Sequence, residues 1–101
     1  MEQYRNEAQQ RILKVVLVLF GHVLRGLSPS AIAREVKCSN AVMTRDLANL
    51  VMAGMVEKDE TSGCYRLTQR LPQQCFKVLA EIDNAERRIT EVKNRFTRNP
   101  D

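Results

Sequence analysis

Residues 28–54 read SPSAIAREVKCSNAVMTRDLANLVMAG, and this stretch decides the fold. Ser28-Pro29 is a strong helix start: the serine side chain caps free N–H groups, and proline occupies the first helical position, where its missing N–H costs nothing. Ile32, Ala33 and Val36 make the inner face of that helix, and Lys37-Cys38-Ser39 interrupts the period. Ser39 or Asn40 caps a further helix running to about Ala53, with Gly54 placed to stop it in a left-handed conformation. Within it Met43, Leu47 and Leu50 form a core stripe, while Asn40, Ala41, Thr44, Arg45 and Ala48 share the opposite side. The pattern predicts helix, tight turn, helix. The outer side of the second helix is mostly small, with a single cation at its centre.

Upstream, roughly Asn6 to Gly21 is predicted as a helix whose apolar run after Ile12 covers nearly all faces, the pattern of a helix central to a small core. Gly21 and Gly26 bracket His22-Val23-Leu24-Arg25, where that helix ends and a loop follows; His22 reads as a capping or surface residue. Downstream the period changes. Met55–Asp59 and Cys64–Thr68, joined by Glu60-Thr61-Ser62-Gly63, predict a β-hairpin.

From Leu71 the chain is helical again, with Pro72 near its start and no breaker before Pro100. Leu71, Cys75, Val78, Ile82, Ala85, Ile89, Val92 and Phe96 follow a 4, 3, 4, 3, 4, 3, 4 spacing, an unbroken heptad seam, and charged residues occupy most of the remaining surface. About 26 residues at 1.5 Å per residue span about 39 Å, longer than a domain of this size can cover. The distal half is therefore expected to meet a partner helix, most economically that of a second copy, through Val78, Ile82, Ala85, Ile89, Val92 and Phe96, in either orientation. The predicted divisions are residues 1–70, which hold the three helices and the hairpin, residues 71–98, a dimerisation helix, and a tail at 99–101.

Composition bounds the rest. A chain of 101 residues can bury a core without covalent staples. Cys38, Cys64 and Cys75 are odd in number, widely spaced and form no CxxC pair, which argues against a disulfide framework and for a reduced, cytoplasmic setting. Cys38 and Cys75 read as small buried hydrophobes rather than sensors. The longest apolar run, Val15 to Phe20, is far short of the roughly 20 residues a bilayer span needs. No membrane partner is expected. Sixteen Lys plus Arg against twelve Asp plus Glu leave a net charge of +4, which admits a nucleic-acid partner without requiring one. No catalytic constellation, metal-ligand spacing or glycine-rich phosphate loop is present, so neither an enzyme nor a cofactor is predicted.

The stretch from Gln10 to Leu71, with RILKVVLVLFGHVLRGLSPSAIAREVKCSNAVMTRDLANLVMAGMVEKDETSGCYRL as its central part, resembles the N-terminal DNA-binding domain of IclR-type transcription regulators. The matching motifs are RIL at the start of the first helix, GLSPSAIAREV, the arginine and LxxLVxxGxV run, and EKDxxSGxYRL. The resemblance implies a mainly α (α+β) fold, a winged helix-turn-helix, here extended by a long C-terminal dimerisation helix. It also implies a dimer on duplex DNA, with the third helix in the major groove and the hairpin wing against the backbone or minor groove. Three positions depart from the pattern: Lys37 where the turn usually has glycine, Met43 for a small residue, and Asp46 for an apolar one. Only one helix follows the wing, so no small-molecule effector is expected.

Under that resemblance the small outer side has a physical use. A helix entering the major groove needs a slim surface, which Ala41 and Ala48 supply, and side chains that can meet base edges or phosphates. Asn40 suits adenine, Arg45 suits guanine or a phosphate, Thr44 suits a thymine methyl or a phosphate, and Asn49 lies on the same helix. Ser39 sits beside backbone N–H groups that suit a phosphate. Lys58, Thr61, Ser62 and Arg66 are the wing's candidate contacts; the competing reading is an ordinary exposed hairpin. The function expected is sequence-specific regulation of transcription, most simply repression by occlusion. The alternative is a winged helix that binds another protein, as an antirepressor or assembly factor would.

Overall fold

The computed structural model describes residues 1–98; the tail expected at 99–101 lies outside the described residues. The chain is mainly helical with one small antiparallel sheet. After a 3₁₀ turn at Glu2–Tyr4 come α1 (Glu7–Phe20), α2 (Pro29–Val36), α3 (Asn40–Met52), β1 (Val56–Lys58), β2 (Tyr65–Leu67) and α4 (Arg70–Thr97).

Each helix of the body begins on a side-chain cap. Asn6 accepts from the Gln9 N–H, Ser28 from Ala31 and Ser39 from Val42, so the side chains satisfy donors that the first turns leave free. At the far end of α3, Ala53 closes the last turn and Gly54 takes the left-handed conformation at φ 75°.

The hairpin pairs Val56 with Leu67, Glu57 with Arg66 and Lys58 with Tyr65. Its register buries Val56 and Leu67 together on one face. A connection absent from the sequence reading ties it to the rest: Leu27 exchanges both backbone hydrogen bonds with Tyr65, at 2.9 and 2.8 Å. Gly26, at φ 72°, makes this approach possible, because a Cβ there would stand 2.2 Å from the Tyr65 carbonyl oxygen.

Val15, Leu19, Ile32, Ala33, Met43, Leu47, Leu50, Val56 and Leu67 form the core, with Leu71 and Cys38 packed against its edge. The expectation that α1 is central to this core needs correction. Val15 and Leu19 are buried, but Leu13 and Leu17 are 63% and 70% exposed. The reason is geometric: α1 packs on α2, α3 and β2 with one side only, so half its apolar circumference faces solvent.

The helix α4 begins where Thr68 donates to the Gly54 carbonyl at 2.8 Å and Arg70 reaches the Ala53 carbonyl. Beyond Leu71 and Pro72 it leaves the body, and none of its residues is buried. The molecule is accordingly long, 73 × 41 × 21 Å. No helix among the described residues is long and apolar enough to cross a membrane.

One polar contact joins the first and third helices. Arg11 on α1 grips Asp46 on α3 with two hydrogen bonds, Nε to Oδ2 at 2.5 Å and Nη2 to Oδ1 at 3.1 Å, the side chains being 21% and 6% exposed. Hydrogen bonding to Asp46 holds the Arg11 pKa above its ordinary value, so the guanidinium stays charged. Removing Arg11 would leave a buried carboxylate unpartnered, whereas replacing both groups by apolar ones removes both desolvation costs. In denaturant unfolding, Arg11→Met is expected to lower the midpoint, and Arg11→Met/Asp46→Leu to recover most of that loss. Additive losses in the double variant would show that the two side chains are not coupled.

Candidate nucleic-acid interface

The turn between α2 and α3 is built from Lys37, Cys38 and Ser39. Lys37 adopts φ 60°, ψ 57°, and its N–H bonds the Ala33 carbonyl, ending α2 in a left-handed cap. Cys38 also bonds Ala33 and tucks its side chain against the core. Ser39 then starts α3 with its hydroxyl committed to the Val42 N–H at 3.2 Å.

From this start, α3 buries Met43, Asp46, Leu47 and Leu50, at spacings of three, one and three. Asp46 thus completes the inward stripe. The opposite side presents Asn40, Ala41, Thr44, Arg45 and Ala48, all exposed, as the spacing predicted, and Asn49 is exposed beside them. Two of these side chains are partly occupied: Thr44 donates to the Asn40 carbonyl and Asn49 to the Arg45 carbonyl, each at 2.9 Å. Thr44 keeps its methyl and hydroxyl lone pairs for a ligand, and Asn49 keeps its amide oxygen. Among the described residues the side chains of Asn40 and Arg45 have no hydrogen-bond or ion-pair partner, so each can approach a ligand without first breaking a contact.

The hairpin is different. Arg66 is bound to Glu57 and Asp59, both at 3.2 Å, and Lys58 lies 6.0 Å from the centre of the Tyr65 ring. The Asp59 carboxylate accepts from the Thr61 and Ser62 N–H groups, and the Ser62 hydroxyl accepts from the Cys64 N–H. Hydrogen bonds from Thr61 and Ser62, with Arg66 adding charge, hold the Asp59 pKa below its ordinary value. That support for the loop is present above the ordinary carboxylate range and is lost only as pH falls through the depressed value. Three carboxylates, Glu57, Asp59 and Glu60, outnumber Lys58 and Arg66. The hairpin is therefore a weaker anion surface than α3, and of its candidate residues only Lys58 and the Thr61 hydroxyl are unoccupied by hydrogen bonds or ion pairs among the described residues.

Lys37 is the residue that sequence reasoning passed over. It is exposed, cationic, and lies just ahead of the α3 N-terminus, where backbone N–H groups favour anions. Its only signal in the sequence is a lysine at a turn position that suits glycine. Among the described residues no three His, Cys, Asp or Glu side chains gather closely enough to hold a metal ion, and Cys75, expected to be buried, is exposed because α4 has left the body.

Searches of protein-family models, of curated proteins and of solved structures return no match to this chain. The left-handed lysine yields a prediction independent of any relative. Lys37→Gly is expected to raise unfolding stability by about 0.5–1 kcal/mol, because relief of the Cβ strain exceeds the added unfolded-state entropy. An unchanged or lower midpoint would show that the turn is not strained at Lys37.

Proposed function

We propose that this chain binds duplex DNA in a sequence-specific way and regulates transcription, as a winged helix-turn-helix protein resembling the DNA-binding domain of IclR-type regulators. The observation that carries this reading is the outward side of α3: exposed, narrow at Ala41 and Ala48, and furnished with unpartnered Asn40 and Arg45. Such a surface admits close approach of the helix backbone to base edges, with a bidentate donor and an amide at hand for purines. Lys37 and the first N–H groups of α3 supply the phosphate contacts that hold register.

In this reading α2 rests across the groove, α3 enters it, and the hairpin is the wing. The wing's own charges make it a minor contributor, with Lys58 and Thr61 touching the backbone and Arg66 serving to hold the hairpin's shape. The protein acts as a homodimer through α4, and occupancy of an operator in front of a promoter gives repression. A protein-binding role is the competing reading, favoured by the uncovered apolar side of α1 at Leu13 and Leu17, with exposed Leu24 in the turn that follows.

The two separate in a fluorescence anisotropy titration on duplexes enriched from a random pool, run at two salt concentrations. The expected result is preference for the enriched sequence over bulk DNA, with a log–log salt slope of about −0.9 for each phosphate contacted. Arg45→Ala should cost about 1–3 kcal/mol on the enriched duplex and little on bulk DNA, while Lys37→Ala should weaken both alike. If no sequence is enriched and Arg45→Ala changes nothing, the regulator reading is wrong.

A further inference from the structure

We infer that α4 pairs with α4 of a second copy in the antiparallel direction, with Ile82 of each chain packed against Ala85 of the other; this rests on the homodimer reading above and fixes its geometry. Val78, Ile82, Ile89, Val92 and Phe96 are 56%, 49%, 68%, 41% and 85% exposed, an apolar seam along a helix with nothing against it in the single chain. Ala85, Ile89 and Val92 line a shallow apolar groove walled by the stems of Arg88 and Lys93.

The flanking charges select the occupant and its direction. In the heptad frame, Cys75, Ile82, Ile89 and Phe96 take the a positions, and Leu71, Val78, Ala85 and Val92 the d positions. Glu81 and Arg88 then fall at g, and Glu86 and Lys93 at e. In a parallel pair each g residue faces the e residue five positions on in the partner. That sets Glu81 against the partner's Glu86 and Arg88 against the partner's Lys93, each occurring twice by symmetry, with no opposite-charge pair among them.

In an antiparallel pair g faces g and e faces e. When Ile82 lies over the partner's Ala85, the free seam is matched, Val78 with Ile89 and Cys75 with Val92, while Leu71, held against the core of its own chain, lies at the level of the partner's Phe96. Glu81 then meets the partner's Arg88 twice, and no like charges face one another. Sliding the partner by one heptad strands seam residues and brings Arg88 onto Arg88 or Glu81 onto Glu81. The full register also sets a large side chain against the smallest one, Ile82 over Ala85, whereas a parallel pair stacks Ala85 on Ala85 and leaves a gap.

This arrangement places the two bodies at opposite ends. Leu71, where α4 leaves the body, lies opposite the partner's Phe96, so the two attachment points are about 38 Å apart at 1.5 Å per residue. That is close to the roughly 34–36 Å between half-sites on one face of DNA.

The native thiol on the seam makes the test direct. Antiparallel packing holds the two Cys75 residues about 26 Å apart, beyond any disulfide, and puts each beside the partner's Val92. Sedimentation first establishes the dimer; mild oxidation and peptide mapping follow. The expected result is no Cys75–Cys75 link in the unmodified chain, and in Val92→Cys an interchain link from Cys75 to the cysteine introduced at position 92. Arg88→Glu should weaken association on the order of tenfold, and Glu81→Arg/Arg88→Glu should restore it. A Cys75–Cys75 link, or tighter association of Arg88→Glu, would overturn the antiparallel assignment while leaving the dimer in place. An unmodified chain that sediments as a monomer would overturn the dimer itself.

Discussion

The two-pronged contact between Arg11 and Asp46 sets the geometry on which the candidate interface depends. It joins α1 to the middle of α3 across 35 positions of sequence, at a point where the other inward residues of α3 are apolar and could settle in slightly different rotations. Paired donors on a planar guanidinium fix direction as well as distance. With Asp46 held inward, the 3.6-residue period leaves Asn40, Ala41, Thr44, Arg45 and Ala48 outward. A buried ion pair gives little net stability against an apolar pair of similar volume, so its value here is in orienting the helix.

In the proposed function the two exposed features of the chain divide the work of binding. The side of α3 with Lys37 before it offers a narrow, mostly uncharged surface with cations at its start and centre, and the hairpin beside it has spent its arginine on its own carboxylates. The helix α4 touches little of its own body and carries its apolar seam in the open. The first surface is suited to a groove and the second to another helix. In the proposed function the second sets the distance at which two copies of the first are presented.

Much of this is legible from local chemistry. Ser28-Pro29, Ser39 and Gly54 mark the ends of α2 and α3 because caps and left-handed stops depend on residues within one turn, and the exposed set on α3 follows from spacing alone. The hairpin and the α4 seam are read the same way. What escaped was set by distant partners. Asp46 departs from an apolar pattern, and only Arg11, far off in sequence, explains it; Leu13 and Leu17 stay exposed because nothing covers that side of α1; and Arg66 is a hairpin brace because Glu57 and Asp59 lie across and beside it. Lys37 shows the converse, since its left-handed backbone is local and its one sign in the sequence is a lysine where the resembled turn usually has glycine.

The central claim is that α3, oriented by Asp46, meets DNA with its small outward side. It is tested most directly by following backbone amide resonances while an enriched duplex is added. The account predicts that Lys37, Asn40, Ala41, Thr44, Arg45 and Ala48 shift together and saturate at one duplex per dimer, with the tip of the hairpin changing little. Shifts confined to the outer side of α1 or to α4, with those six amides unmoved, would contradict it.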